Sequence, residues 1–122
     1  MMKNNINLSP NFSNTIRSKK QIKFVIIHYT GMQSQIASIK RLTDPSSKVS
    51  CHYLIDKKGK IIQLVSEKNI AWHAGKSKWF DQNNLNLNSI GIELENKGHD
   101  HGYENFPKLQ MNSLIGLCKK LK

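Results

Sequence analysis

The chain has 122 residues, enough for one hydrophobic core and too few for two. Hydrophobic residues make up 38%, too many for a disordered chain and grouped in periodic segments, with no run near the roughly 18 apolar residues that cross a bilayer. Nineteen Lys and Arg against 8 Asp and Glu give a formal net charge of +11. That balance suits an anionic partner such as nucleic acid, an acidic membrane surface or a polyanionic cell wall. A compositional bias toward Lys, Asn and Ile is the competing explanation. Two cysteines, Cys51 and Cys118, make no disulfide framework and read as buried free thiols. The first seven residues contain no apolar signal region, so the cytoplasm is the default compartment, with export by another route left open.

Residues 1–21 are polar and read as an extended segment lying over the domain; residues 22–122 read as that single domain. Residues 22–29 form the first strand. Its run Phe24-Val25-Ile26-Ile27 implies burial on both faces. His28 closes the run. At the end of a rigid strand an imidazole can be held as a metal ligand or a base, or can simply bond to backbone. Ser34 caps a helix carrying Ile36, Ala37, Ile39 and Leu42, and Asp44-Pro45-Ser46-Ser47 stops it. Residues 50–55 and 60–65 flank Asp56-Lys57-Lys58-Gly59 and read as a β-hairpin, with Gly59 at positive φ. Residues 66–71 make a short turn or helix.

Residues 72–88 are long, polar and aperiodic, which in a small domain marks a functional loop. Trp72 in this loop either packs it onto the sheet or offers a face for a sugar ring. His73 is either a hydrogen-bonded loop residue or part of a cleft, and His52 reads as structural. Ile90-Gly91-Ile92-Glu93-Leu94 is a buried strand with a carboxylate near its end. Glu95, two residues on, shares that face if the strand continues. Residues 96–106 form a second loop. Pro107 then opens a helix with Met111, Leu114, Ile115, Cys118 and Leu121 on one stripe. The order of elements is that of an α/β domain. No nucleic-acid motif accompanies the positive charge, so no nucleic-acid partner is expected.

Four motifs occur in order: His28-Tyr29-Thr30, His52-Tyr53-Leu54-Ile55-Asp56, Ala71-Trp72-His73-Ala74-Gly75 and Ile90-Gly91-Ile92-Glu93. Singly they are weak. Together they resemble the zinc-dependent N-acetylmuramoyl-L-alanine amidases of the amidase-2 family, which are similar to peptidoglycan recognition proteins. The resemblance runs from about Ser9 to the last residue. It implies a mixed central β-sheet flanked by helices, and hydrolysis of the amide between N-acetylmuramic acid and L-alanine in peptidoglycan or muropeptide. It also implies that His28 is a zinc ligand, that Glu93 is the catalytic acid–base, and that Tyr29, Thr30, Trp72, His73 and Ala74 line the substrate site. Family members continue past the long C-terminal helix into a further strand and a loop whose His and Asp are the other zinc ligands. That motif does not follow here, so the resemblance implies a domain lacking its last strand and zinc loop. His99 and His101, two apart in the second loop, are candidate replacement ligands. A metal-free remnant that still binds muropeptide is the alternative function.

Overall fold

The structure, a computed structural model, describes residues 7–32, 34–73, 85–96 and 105–121. Among these residues six strands run in chain order: β1 (Phe12–Ser13), β2 (Phe24–Tyr29), β3 (Tyr53–Ile55), β4 (Ile61–Gln63), β5 (Ile70–Ala71) and β6 (Ser89–Leu94). Helix α1 (Gln35–Thr43) follows β2, and helix α2 (Lys108–Lys120) follows β6. The main sheet has the order β2-β6-β3-β4. β6 lies parallel to both β2 and β3, and β3 pairs antiparallel with β4. The sheet is therefore mixed, and β6 sits inside it.

Each face of the sheet carries its own core. Leu54, with Cys51, Leu64, Val65 and Ala71, packs beneath Leu42 and Ile39 of α1. On the other face Ile90, Ile92 and Leu94 of β6 meet Leu117, Leu114, Met111 and Cys118 of α2, joined by Ile55 of β3. Both cysteines are free thiols, and burial pushes the Cys51 thiol up. Ser34 caps α1 by accepting a hydrogen bond from the Ala37 N–H. The hairpin between β3 and β4 turns at Gly59, φ 89°, while the Asp56 carboxylate accepts from the Lys58 and Lys60 N–H groups. Glu95 lies past the end of β6, and its carboxylate accepts the Lys57 N–H. It is drawn to the hairpin rather than to the face that carries Glu93.

Burial of the first strand departs from expectation. β2 is not buried on both faces: Val25, Ile27 and Tyr29 are 39%, 48% and 42% exposed. The reason is positional. Among the described residues β2 is an edge strand, and α2 is fixed over the far side of the sheet. Gln110 donates from Nε2 to the Ile55 and Glu95 carbonyls, and Ser113 donates to the Gly59 carbonyl. A helix held there covers β6 and β3 and leaves one face of β2 open. Two stripe positions, Ile36 and Ile115, also face solvent, whereas Leu117 takes the buried place on α2.

The segment before β2 is sewn into the domain. β1 pairs antiparallel with β5, and the Ser9, Asn11 and Arg17 side chains are buried. Arg17 donates to the carbonyls of Glu67, Asn86 and Leu87, which ties residues 85–88 to the body of the fold. No helix among the described residues is long and apolar enough to cross a membrane.

Candidate functional site

β2 and β6 run parallel, so their C-terminal ends emerge on the same side of the sheet. The register sets His28 opposite Glu93. Alternation along a strand then puts both side chains on one face, together with Ile26 and Gly91. Leu54 lies across from Glu93 on the β3 side. Beyond this strip opens a cleft of about 210 Å³. Its walls bring together His28, Thr30, Trp72, His73 and Glu93 with Arg41 of α1, and Tyr29 lies at its margin. Ala74, His99 and His101 lie outside the described residues.

Four of these groups are held by named partners. His28 Nε2 lies 3.1 Å from His73 Nδ1. The His73 backbone N–H donates to Asn86 Oδ1, and its Nε2 lies 2.9 Å from Ser89 Oγ. Thr30 donates from its hydroxyl to the Asn96 carbonyl and accepts the Asn96 N–H, which closes the end of β2 onto the end of β6. Trp72 donates from its indole to Ser13 Oγ, so the ring that lines the cleft is also fastened to β1.

The electrostatics follow from burial. A carboxylate removed from water loses hydration, so its neutral form gains. Burial pushes the Glu93 carboxyl up to about 7, against a smaller downward pull from the Arg41 cation. Burial likewise lowers His28 below the ordinary imidazole range. His73 is pushed down to about 3 by burial, with His28, His52 and Arg17 adding to the effect. At neutral pH the cleft thus holds neutral imidazoles beside a carboxyl balanced between its two states.

His52 works from behind. Its Nδ1 accepts the Gly91 N–H and its Nε2 donates to the Asn69 carbonyl. The His52 backbone N–H also donates to the Gly91 carbonyl, so one residue holds both polar groups of Gly91. Arg17 Nη2 stands 3.0 Å from Nε2. It meets that nitrogen as a second donor, and its charge opposes a second proton on the ring.

Zinc is the ion the family resemblance implies, and the described residues do not fit it unaided. Among them no three His, Cys, Asp or Glu side chains converge to hold a metal, whereas a protein zinc site takes at least three such ligands. Within the cleft walls the donors of that kind are His28, His73 and Glu93, and the imidazole of His73 is engaged with His28 and Ser89.

Sequence reasoning missed Arg41, Ser89 and Asn86. Arg41 has a usable signal: it lies one helical turn from Ser38 and next to Leu42, the two buried residues of α1. Ser89 and Asn86 have none, since both meet His73 across the residues that separate them from it.

Comparison with known proteins places the chain in a family. The N-acetylmuramoyl-L-alanine amidase AmiD of Escherichia coli is 40% identical over 113 residues, covering 83% of this chain and 40% of its own length. N-acetylmuramoyl-L-alanine amidase A of Achromobacter lyticus is 36% identical over 110 residues, covering 89% of this chain and 56% of its own. The chain therefore spans about half the length of these relatives or less. Among solved structures, AmpDH3 of Pseudomonas aeruginosa in complex with anhydromuramic pentapeptide matches with a TM-score of 0.76 at 31% identity. That match covers 99% of this chain and 51% of the other. AmiD in complex with its substrate anhydro-N-acetylmuramic acid-L-Ala-D-gamma-Glu-L-Lys matches with a TM-score of 0.72 at 40% identity, covering 83% and 43%. The family model for N-acetylmuramoyl-L-alanine amidase matches residues 18–122. With the motifs and the mixed sheet in agreement, the chain belongs to the N-acetylmuramoyl-L-alanine amidase family.

Proposed function

We propose that this chain carries the substrate cleft of a peptidoglycan amidase. The bond it acts on is the amide between the lactyl group of N-acetylmuramic acid and the L-alanine of the stem peptide. The observation that carries this reading is the His28–Glu93 pair, at matched positions on adjacent strands and lining one open cleft. An unactivated amide resists neutral water. Its hydrolysis needs a base for the proton of the attacking water and an acid for the departing amine. A carboxyl pushed up to about 7 serves both ends of that exchange. As carboxylate it takes the water's proton, and as carboxylic acid it returns a proton to the leaving nitrogen.

In this reading Trp72 offers a face to the sugar or stem, and Tyr29, Thr30 and His73 frame the entrance. Ala74 shares that assignment by its place in the motif. Arg41 presents a cation to the stem carboxylates, in keeping with the net charge of +11. Zinc dependence is the finer part of the proposal. His28 would be one ligand, and the reading requires donors beyond the described residues.

The test compares the chain with its Glu93→Gln variant on an anhydromuramoyl tripeptide, with and without added zinc. Release of stem peptide that zinc raises and Glu93→Gln abolishes is the expected result. Absence of both release and binding would defeat the reading. The shortage of metal donors among the described residues favours one alternative, a cleft that holds muropeptide without cleaving it. Calorimetric binding with no release and no zinc uptake selects that alternative.

A further inference from the structure

We propose that Ser89 is a positioning residue that sets, through His73, the protonated nitrogen of His28. The inference rests on the reading of this cleft as the reactive site, and it begins at a group with no choice of role. The Leu85 carbonyl can only accept, so the Ser89 hydroxyl 2.5 Å away donates to it. With its proton committed, Ser89 Oγ meets His73 Nε2 at 2.9 Å as an acceptor, and His73 carries its proton on Nε2. In a neutral imidazole one nitrogen donates and the other accepts. His73 Nδ1 is then the acceptor facing His28 Nε2 at 3.1 Å, and His28 donates from Nε2. The chain of donors runs one way, from His28 to His73 to Ser89 to the Leu85 carbonyl. It leaves Nδ1 as the unprotonated atom through which His28 can accept.

The middle of the relay is seated as firmly as its end. The His73 backbone is bonded to Asn86. Its ring occupies the space above Gly91, where a Cβ would come within 2.5 Å of His73 Cγ. A ring fixed on three sides transmits the orientation of a hydroxyl to its neighbour instead of absorbing it.

The experiment is long-range proton–nitrogen correlation NMR on the 122-residue chain at neutral pH, with histidine labelled in the ring nitrogens. The expected spectrum shows His28 and His73 each as a single tautomer protonated on Nε2. Ser89→Ala should turn the His28 signals into a mixture of tautomers, and Ser89→Thr, which keeps a hydroxyl, should restore the single form. A wild-type His28 protonated on Nδ1, or already mixed, overturns the inference. So does a Ser89→Ala chain in which His28 keeps the single Nε2 form. If Ser89→Ala does not fold, the wild-type tautomer and Ser89→Thr still decide. Muropeptide release and binding are scored separately, so a chain that keeps this tautomer but neither releases nor binds muropeptide defeats the proposed function and leaves the relay standing.

Discussion

The His73 ring lies against the one position of β6 that has no side chain: a Cβ at Gly91 would sit 2.5 Å from His73 Cγ. Both polar backbone groups of Gly91 are held by His52, so β6 cannot slide to make room. Gly91→Ala should therefore expel the His73 ring and break its contact with His28. Forcing a methyl into packed space costs typically about 1–3 kcal/mol. A lowered denaturant midpoint with an unchanged slope, and loss of the His28–His73 contact by NMR, is the expected outcome. A Gly91→Ala chain as stable as wild type would mean that the ring has somewhere else to go.

Glu93 supports a sharper expectation. If its carboxyl carries the proton in amide hydrolysis, Glu93→Gln should lower turnover by about 10²–10⁴-fold, the usual scale of general acid–base catalysis. Glutamine keeps the shape and one of the two oxygens, so muropeptide binding should change little. Turnover and calorimetric affinity, measured on the same preparation, separate the two effects. Equal losses in both would make Glu93 a binding group.

Much of this arrangement was legible in the sequence, and the rest was not for identifiable reasons. The strand that carries His28, the capped α1, the hairpin at Gly59 and the helix after Pro107 all announce themselves through local periodicity or turn chemistry. Alternation in β6 and the end of β2 sufficed to bring His28 and Glu93 together once the two strands were neighbours. Strand order is not a local property. Nothing in Val25 or Ile27 says that β2 lies at an edge, because an edge is created by what fails to pair beside it. The polar residues that hold the site share that difficulty. Ser89 is read by partners 4 and 16 positions away, and Arg17 by carbonyls 50 to 70 positions on.

Acid should act on two groups in opposite directions. Burial lowers His52 from 6.5 to about 4, with Arg17 also opposing its charge. The unfolded chain then binds the proton more tightly, and this contribution to stability is lost as pH falls from about 6.5 toward 4. Its full extent is on the order of 3 kcal/mol, since each tenfold change in proton affinity is worth about 1.4 kcal/mol. Glu93 is raised from 4.5 to about 7. Its folded form binds the proton more tightly, so its contribution is present below about 4.5 and is lost as pH rises through 7. His73, beside both, moves in the same direction as His52. Wild-type stability should therefore change less between pH 7 and 5 than the histidines alone would make it. Glu93→Gln removes the opposing group, and its denaturant midpoint should fall more steeply on acidification. Parallel profiles for the two proteins would show that Glu93 titrates at an ordinary carboxylate value.

The placement of α2 depends on Gly59. That residue turns the hairpin at φ 89°, where side chains are rarely tolerated, and a Cβ there would lie 2.7 Å from the Leu109 carbonyl of the helix. The neighbouring Ser113 hydroxyl donates to the Gly59 carbonyl, and Gln110 reaches the Ile55 and Glu95 carbonyls from the same side. Gly59→Ala meets strain in the turn, about 1–3 kcal/mol for a disfavoured backbone conformation, and a clash with backbone that cannot rotate away. The helix should be pushed off the hairpin, loosening the packing of Leu117 on β6. Hydrogen exchange checks this directly. Gly59→Ala should speed exchange along residues 108–120 and at the β3–β4 turn, while α1 and the β1–β5 pair, on the other side of the sheet, stay protected until global unfolding. Uniform acceleration across the chain would mean that the two faces of the sheet do not open separately.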